Sequence, residues 1–244
     1  MVFVCLLFTP IIFPANLFVN MNKKITIGGV AVLLLVIAAV LYAYNPYYER
    51  AIYPNLPQLT ETDRQIFATR ILDANKALEA SELTEKAKFN LTMQIGFNEY
   101  ALGNYKEAES AYKSASEINT DNNYVSYVAL YQLYVDIQKN RSARTAIQKA
   151  LSLSPASSDI WNKYTALEKE RFNADNETLD KLYKKALEAT YYNIDVITAY
   201  ATLLTGEGRY AEAIEYWTKA ITYNPSAKDL YEQEISILKS KLGS

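Results

Sequence analysis

The sequence predicts an all-α protein: a stack of helix-turn-helix repeats preceded by a single membrane-spanning helix. Three observations support this prediction. The chain of 244 residues contains an uncharged apolar stretch near its N-terminus. Beyond residue 60, apolar residues recur at the three- and four-residue spacing of amphipathic helices. A pattern of small and large apolar residues also repeats about every 35 residues, a period typical of stacked helical repeats.

The composition argues against several functional classes. The pI is near 5.4, the net charge is -2 and no block of Lys and Arg is present. Nucleic-acid binding needs a concentrated basic face, so it is disfavoured. The chain has no histidine, the commonest general base and transition-metal ligand. Because Cys5 is the only cysteine, no Cys-based zinc site can form within the chain. We expect no metal, no cofactor and no nucleic-acid partner.

Residues 25–44 are predicted to form a transmembrane helix. They are 20 consecutive uncharged residues, enough to cross a hydrocarbon core of roughly 30 Å. Lys23 and Lys24 precede the span, and the aromatic residues Tyr47 and Tyr48 come after it. This arrangement predicts a single-pass anchor in a bacterial cell membrane, with the C-terminal domain on the extracytoplasmic side.

The N-terminal segments leave alternatives open. A cleaved signal peptide would need small residues at its cleavage site, and residues 41–44, Leu-Tyr-Ala-Tyr, match this pattern poorly, so a retained anchor is the better interpretation. Residues 1–20 are apolar but interrupted by two prolines. They form either a second span, with residues 21–24 as the basic flank, or a stretch upstream of the true start at Met21. The second interpretation is favoured, because two lysines and an apolar run closely follow Met21. Residues 45–59 are predicted to be a linker.

Helical elements are predicted at both ends of the repeats. Residues 60–88 form an N-terminal helical element, and Thr60 with Asp63 provides a capping-box-like start to a long helix over residues 60–80. We expect this helix to pack on the first repeat. Residues 228–244 are predicted to form a C-terminal capping helix. The end of a repeat stack needs a polar outer face for solubility.

The repeat is visible in two matching segments. Residues 103–108 and 208–213 share the pattern Gly-x-Tyr-x-Glu-Ala, and similar apolar spacing continues after both. Two further copies lie between them. An alanine in the second helix of each copy marks the period, with separations of 35, 36 and 34 residues: Ala115, Ala150, Ala186 and Ala220.

These residues resemble the tetratricopeptide repeat family. The resemblance implies a right-handed superhelix with four units, at residues 89–122, 124–157, 158–193 and 194–227. Small residues belong where the two helices of one unit meet. In the first unit these are Gly96, Ala108 and Ala115. Large residues fill the gap to the next unit, namely Tyr112, Ile147, Tyr183 and Trp217.

The sequence departs from the family pattern in three places. Units one and three lack the proline that ends the second helix in the other two, Pro155 and Pro225. Unit three has two extra residues, which we place in the loop of residues 172–175. Unit two lacks the Gly-x-Tyr turn and has residues 139–141, Lys-Asn-Arg, instead.

The resemblance also implies a binding surface, since the first helix of each unit lines the inner wall of the superhelix. The family's inner-wall positions are mostly apolar in units one and two and mostly polar in units three and four. They correspond to Asn90, Met93, Phe97, Tyr100, Val125, Val128, Gln132, Val135, Asp159, Asn162, Ala166, Lys169, Asp195, Thr198 and Thr202. Met93 and Phe97 stand where family members that clamp a chaperone's carboxylate have Lys and Asn, so an Hsp70 or Hsp90 cochaperone role is disfavoured.

Catalysis is not expected. Ser110 with Lys113, and Ser236 with Lys239, fit the Ser-x-x-Lys spacing of penicillin-recognising enzymes, but the companion motifs are absent. We therefore expect a membrane-anchored scaffold or adaptor that binds a protein or peptide in the apolar part of the groove. The alternative is a self-associating structural subunit of an envelope complex. An enzyme with an unrecognised site is a minor alternative.

Overall fold

The computed structural model of the protein describes residues 59–80, 82–118, 120–121 and 123–243. These residues form ten α-helices, one short 3-10 helix and no strand, in agreement with the predicted all-α fold. In chain order the α-helices are α1 (Glu61–Leu78), α2 (Glu85–Leu102), α3 (Tyr105–Glu117), α4 (Asn123–Asp136), α5 (Asn140–Leu153), α6 (Ser158–Phe172), α7 (Asn176–Ala189), α8 (Ile194–Gly206), α9 (Tyr210–Tyr223) and α10 (Lys228–Leu242). The 3-10 helix spans Pro225–Ala227, directly before α10.

The predicted transmembrane helix at residues 25–44 lies outside the described residues. So do the apolar segment of residues 1–20, the basic flank of residues 21–24 and most of the predicted linker. Among α1 to α10, no helix is both long and apolar enough to cross a membrane.

Eight of the helices form four pairs: α2 with α3, α4 with α5, α6 with α7, and α8 with α9. Only two or three residues join the helices of a pair, whereas four or five residues join one pair to the next. Each helix packs against its neighbours in the chain, and α6 also packs against α8. A stack of this kind, in which each unit contacts only adjacent units, is the architecture of a helical repeat protein. The first pair begins at Glu85, four residues before the predicted unit boundary.

The N-terminal helix α1 begins with a reciprocal capping box. The Asp63 backbone N–H donates to Thr60 Oγ1 over 3.1 Å, and the Thr60 backbone N–H donates to the Asp63 carboxylate over 3.1 Å. The helix expected over residues 60–80 ends at Leu78 and packs on α2. Ala74 is buried, while Ile66 and Leu72 remain exposed on the outer side.

The core follows the alternation of small and large residues. Ala108 and Ala115 are completely buried where α3 meets its partner helix, and Gly96 on α2 lies directly against the ring of Tyr112. A Cβ atom at residue 96 would lie 2.5 Å from Tyr112 Cε1, closer than van der Waals contact allows. The large residues assigned to the gaps between units are all buried: Tyr112, Ile147, Tyr183 and Trp217.

The turn inside each pair has the same backbone conformation, although its residues differ. Positive φ angles occur at Gly103 (82°), Gln138 (55°), Asn173 (50°) and Gly208 (74°), each 35 residues after the last. This left-handed conformation ends the first helix, and glycine adopts it without steric cost. Unit two therefore keeps the turn geometry without the glycine, and unit three uses asparagine. Its loop, residues 173–175, has the same length as the loops of units two and four, so the two extra residues that we placed at residues 172–175 do not lengthen it.

Gln138→Gly should stabilise the protein by about 0.5–1 kcal/mol, because a residue with a Cβ is strained at this φ angle. The measurement is the free energy of unfolding from urea denaturation. Asn173→Gly is the matched control and should give a smaller gain, since asparagine tolerates the left-handed region. A loss of stability in Gln138→Gly would show that the turn does not have this conformation.

Units three and four are joined by ion pairs centred on Arg209, the residue before α9. Its Nη1 and Nη2 atoms donate to the two carboxylate oxygens of Asp180 on α7, each over 2.8 Å. Arg209 also donates to Glu212 over 2.6 and 2.8 Å. The Tyr200 hydroxyl donates to Asp180 over 2.6 Å. Bidentate, charge-assisted bonds of this type are among the stronger ones in proteins. The hydrogen bonds from Arg209 hold the pKa of Asp180 below its ordinary value.

Arg209→Ala should remove about 2 kcal/mol of stability at pH 7, the range for hydrogen bonds to charged groups. A carboxylate with a lowered pKa in the folded state stabilises the fold above its unfolded pKa of about 3.9 and loses this effect as the pH falls through the folded pKa. The difference between wild type and variant should therefore shrink below about pH 4. Urea denaturation at pH 7 and at pH 3 measures both values. An equal difference at the two pH values would contradict the assignment.

The C-terminal helix α10 differs from the expected polar cap. Tyr231 and Leu238 are buried, and α10 packs on α9. However, Leu230 is 61% exposed and Ile237 is 43% exposed. The outer side of the terminal helix is therefore partly apolar, and a polar capping role does not account for these two residues.

Candidate protein-interaction surface

The predicted inner-wall residues lie on the first helices of the four pairs, α2, α4, α6 and α8. Their exposure varies widely. Phe97 on α2 is 50% exposed, which is unusual for a phenylalanine, whereas Met93 one turn earlier is only 4% exposed. The valines of α4 are partly exposed: Val125, Val128 and Val135. The apolar part of the predicted wall is therefore accessible mainly through Phe97 and these valines.

A pocket of about 450 Å³ lies where α1, α2 and the start of α4 meet. Its lining includes four predicted residues, Asn90, Met93, Phe97 and Val125, and four that were not predicted, Arg70, Phe89, Gln94 and Asn98. Phe89 and Met93 are almost completely buried and form the apolar floor. The α1 helix contributes Arg70 and leaves Phe97 half exposed, so it does not cover this part of the wall.

The pocket combines an aromatic group with polar side chains. The ring of Phe97 packs edge-on against Tyr112, with centroids 5.5 Å apart, so a buried residue supports its position. The side-chain amide of Asn98 donates to the Gln94 carbonyl over 2.7 Å. Arg70 lies 5.8 Å above the ring of Phe67 and forms no ion pair with any carboxylate of the described helices. An apolar floor with a few polar groups at the rim is typical of a site for a side chain of a bound peptide.

The predicted wall residues Tyr100 and Gln132 both form hydrogen bonds with Asp136. The Tyr100 hydroxyl donates to the Asp136 carboxylate, and Gln132 Nε2 donates to the other oxygen of the same carboxylate over 3.0 Å. Burial and the bond to Asp136 raise the pKa of Tyr100, so its hydroxyl stays protonated at physiological pH. The three residues therefore connect α2 to α4.

Several polar residues of the predicted wall in units three and four form hydrogen bonds or ion pairs within the chain. Thr198 and Thr202 donate their hydroxyls to carbonyls of α8, over 2.9 and 2.8 Å. Asp159 forms an ion pair with Lys163. Lys169 is exposed on α6. Asn162 Oδ1 is buried and accepts no hydrogen bond from a described residue. Three of these five wall residues, Asp159, Thr198 and Thr202, therefore already have partners within the chain.

Four residues of the pocket were not predicted from the sequence, because the repeat register identifies only the inner-wall positions of the four units. Arg70 precedes the repeats, so the register of the four units gave it no position. Phe89 lies on α2 just before the first predicted position, Gln94 and Asn98 lie between predicted positions, and α1 packs against this helix. A signal was available for Arg70, since it lies in the same helical stripe as Phe67 and Ala74.

The structure gives the Ser-x-x-Lys segments no catalytic arrangement. Lys113 Nζ donates to Glu109 over 2.6 Å, and this bond raises the pKa of Lys113, which makes it less able to lose its proton and act as a base. Ser110 is exposed on the same helix, and Ser236 and Lys239 are exposed on α10. No group of His, Cys, Asp and Glu within the part of the chain that the structure describes is arranged to hold a metal ion.

Comparisons with known proteins agree with this fold. The sequence profile of the tetratricopeptide repeat matches residues 194–226, which correspond to α8 and α9. No curated protein shows significant sequence similarity to the chain. The crystal structure of MamA is similar with a TM-score of 0.50 and 18% sequence identity, covering 67% of this chain and 91% of MamA. At this identity the similarity shows a shared fold and no more.

Two further crystal structures have lower scores. PilW, a widely conserved type IV pilus biogenesis factor, has a TM-score of 0.43 and 17% identity over 62% of this chain and 78% of its own. A thermophilic TPR protein in Thermus thermophilus has a TM-score of 0.42 and 18% identity over 78% of this chain and 98% of its own. The tetratricopeptide repeat profile thus matches one of the four helix pairs, and the described residues form an all-helical TPR-like repeat fold, which MamA shares.

Proposed function

We propose that this protein is a scaffold or adaptor that binds a protein partner through the pocket between α1, α2 and α4. The observation that carries the proposal is the half-exposed ring of Phe97 beside the buried floor of Phe89 and Met93. Aromatic residues, phenylalanine among them, are enriched in protein interfaces relative to the rest of the surface. The partly exposed valines of α4 extend the apolar surface beyond the pocket.

Phe97→Asp should abolish or strongly weaken partner capture without unfolding the protein, because the substitution replaces an exposed aromatic ring with a charge beside the apolar floor of the pocket. The test is affinity purification of tagged full-length protein from its own cells, followed by mass spectrometry. Leu153→Asp is the matched control, since Leu153 is 46% exposed but lies at the end of α5 and does not line the pocket. Equal recovery of the captured proteins with the Phe97→Asp and Leu153→Asp variants would contradict a role for the pocket.

We further propose that residues 25–44 anchor the protein in the cell membrane and that the repeats lie on its extracytoplasmic side. The proposal rests on the uncharged span of 20 residues, the lysines before it and the tyrosines after it. Protease added to cells whose outer envelope layers have been removed, but whose cell membrane is intact, should degrade the repeat domain. Complete protection, with degradation after lysis, would overturn this orientation.

A further inference from the structure

Arg70 lines the pocket, and its charge is not neutralised within the described helices. The residue is exposed, and its guanidinium lies 5.8 Å from the ring centroid of Phe67, one turn earlier on α1. Asp73 lies one turn later on the same helix, yet none of the ion pairs among the described residues includes Arg70 or Asp73. An arginine fork binds a carboxylate through two parallel hydrogen bonds. Arg70 is therefore available to a carboxylate of a bound segment.

The other residues that line the pocket are uncharged. They are four apolar residues and three carboxamides: Phe89, Met93, Phe97, Val125, Asn90, Gln94 and Asn98. A carboxamide is neutral and both donates and accepts hydrogen bonds, so it does not compensate the charge of Arg70. No carboxylate is among these lining residues. The pocket therefore presents one positive charge beside an apolar floor.

The adjoining helix α4 places no negative charge near the pocket. It carries no charged residue before Asp136, which lies about 16 Å along the helix from Val125. Both carboxylate oxygens of Asp136 already accept hydrogen bonds, from Tyr100 and Gln132. An acidic group on a bound segment therefore meets no like charge on this part of α4, whereas a basic group in the same place would be repelled by Arg70.

We propose that the partner segment bound in this pocket carries an acidic side chain next to an apolar one. The carboxylate pairs with Arg70, and the apolar side chain covers the floor beside Phe97. The inference rests on the proposed function, which places a protein partner in the pocket, and adds the chemistry of the bound segment. Charge complementarity contributes more to specificity and association rate than to affinity. Arg70 thus selects among apolar segments and disfavours those with a neighbouring lysine or arginine.

Peptide selection on the full-length protein in detergent tests this chemistry. The probe is a phage library of short random peptides whose C-termini are fused to the coat protein, so that no free C-terminal carboxylate is present. Wild type should enrich peptides with Asp or Glu beside a large apolar residue. Arg70→Glu should enrich Lys or Arg at that place instead, because the charge that faces the segment is reversed. Arg64→Glu is the matched control and should select as wild type does, since Arg64 is exposed on α1 but does not line the pocket.

Selection on Phe97→Asp distinguishes this inference from the proposed function. Peptides that bind wild type but not Phe97→Asp, and that show no preference for acidic residues, would retain the pocket as a binding site and overturn the role of Arg70. The same acidic enrichment on Arg70→Glu as on wild type would also overturn the role of Arg70. A complete lack of peptides that depend on Phe97 would contradict peptide binding in the pocket and, with it, this inference.

A selected peptide, synthesised with an amidated C-terminus, gives the size of the effect by fluorescence anisotropy. Arg70→Gln should weaken binding about threefold, within the range for an exposed ion pair. Arg70→Glu should weaken it at least about tenfold, because like charges then meet. Raising the salt from about 0.1 M to about 1 M shortens the Debye length from about 10 Å to about 3 Å. This change should weaken binding to wild type and leave binding to Arg70→Gln nearly unchanged. Equal salt dependence of the two proteins would overturn the pairing with Arg70.

Discussion

Gly96→Ala is expected to destabilise the protein by about 2 kcal/mol, within the range for overpacked cores. The added Cβ would lie 2.5 and 2.6 Å from two ring atoms of Tyr112. Tyr112 is 2% exposed, and Phe97 packs against its ring, so the ring has little room to move away. The free energy of unfolding from urea denaturation measures the effect.

The sign of this change separates packing from helix propensity. Alanine is favoured over glycine inside a helix by about 1 kcal/mol, so propensity alone predicts stabilisation. Gly206→Ala is the matched control, because nothing lies within 4 Å of a Cβ at that helical position. We expect the control to be neutral or slightly stabilising. A Gly96→Ala variant as stable as wild type would show that α2 and α3 are not in close contact at this point.

Arg144→Ala is expected to cost about 3 kcal/mol, because it leaves a buried carboxylate without its charged partner. Arg144 Nη2 on α5 lies 2.6 Å from Glu168 Oε2 on α6, and the Glu168 side chain is only 7% exposed. The guanidinium also lies 3.2 Å above the ring of Phe172. Removal of Arg144 therefore breaks an ion pair that joins units two and three. Urea denaturation at pH 7 is the measurement.

A double variant tests whether the unpaired charge is the cause. Arg144→Leu combined with Glu168→Leu should be more stable than Arg144→Ala alone, since buried ion pairs replaced by apolar groups cost little. Lys88→Ala, which breaks an exposed pair with Glu85, should change stability by less than about 1 kcal/mol. A loss below about 1 kcal/mol for Arg144→Ala would mean that water reaches Glu168 and solvates its charge.

The helical repeat could be predicted from the sequence because close packing restricts residue size. Two helices approach closely only where one side chain is small, so Gly96 and Ala115 mark contacts without any knowledge of the structure. The turn of unit two could not be predicted in this way. This turn contains a positive φ angle at Gln138. Glutamine adopts such an angle only at an energetic cost, so its presence in a sequence does not indicate a left-handed turn.

The lining of the proposed binding pocket could be predicted only in part. The register of the repeat gives the face of each helix, and that face includes Phe97 and Val125 of the pocket. It does not give burial, so Met93 appears in the predicted wall although it is 4% exposed. The register of the repeat also does not predict that a residue outside the repeats, Arg70 on α1, lines the pocket.

The measurement that tests the central claim most directly is site-specific photocrosslinking in cells. A photoreactive phenylalanine analogue replaces Phe97 in the pocket or Val128 on α4, and Leu153 at the end of α5 serves as the control position. The proposed function predicts adducts with the same partner protein from residues 97 and 128, and none with that protein from residue 153. Equal crosslinking from all three positions, or no adduct from residue 97, would contradict a binding site in this pocket.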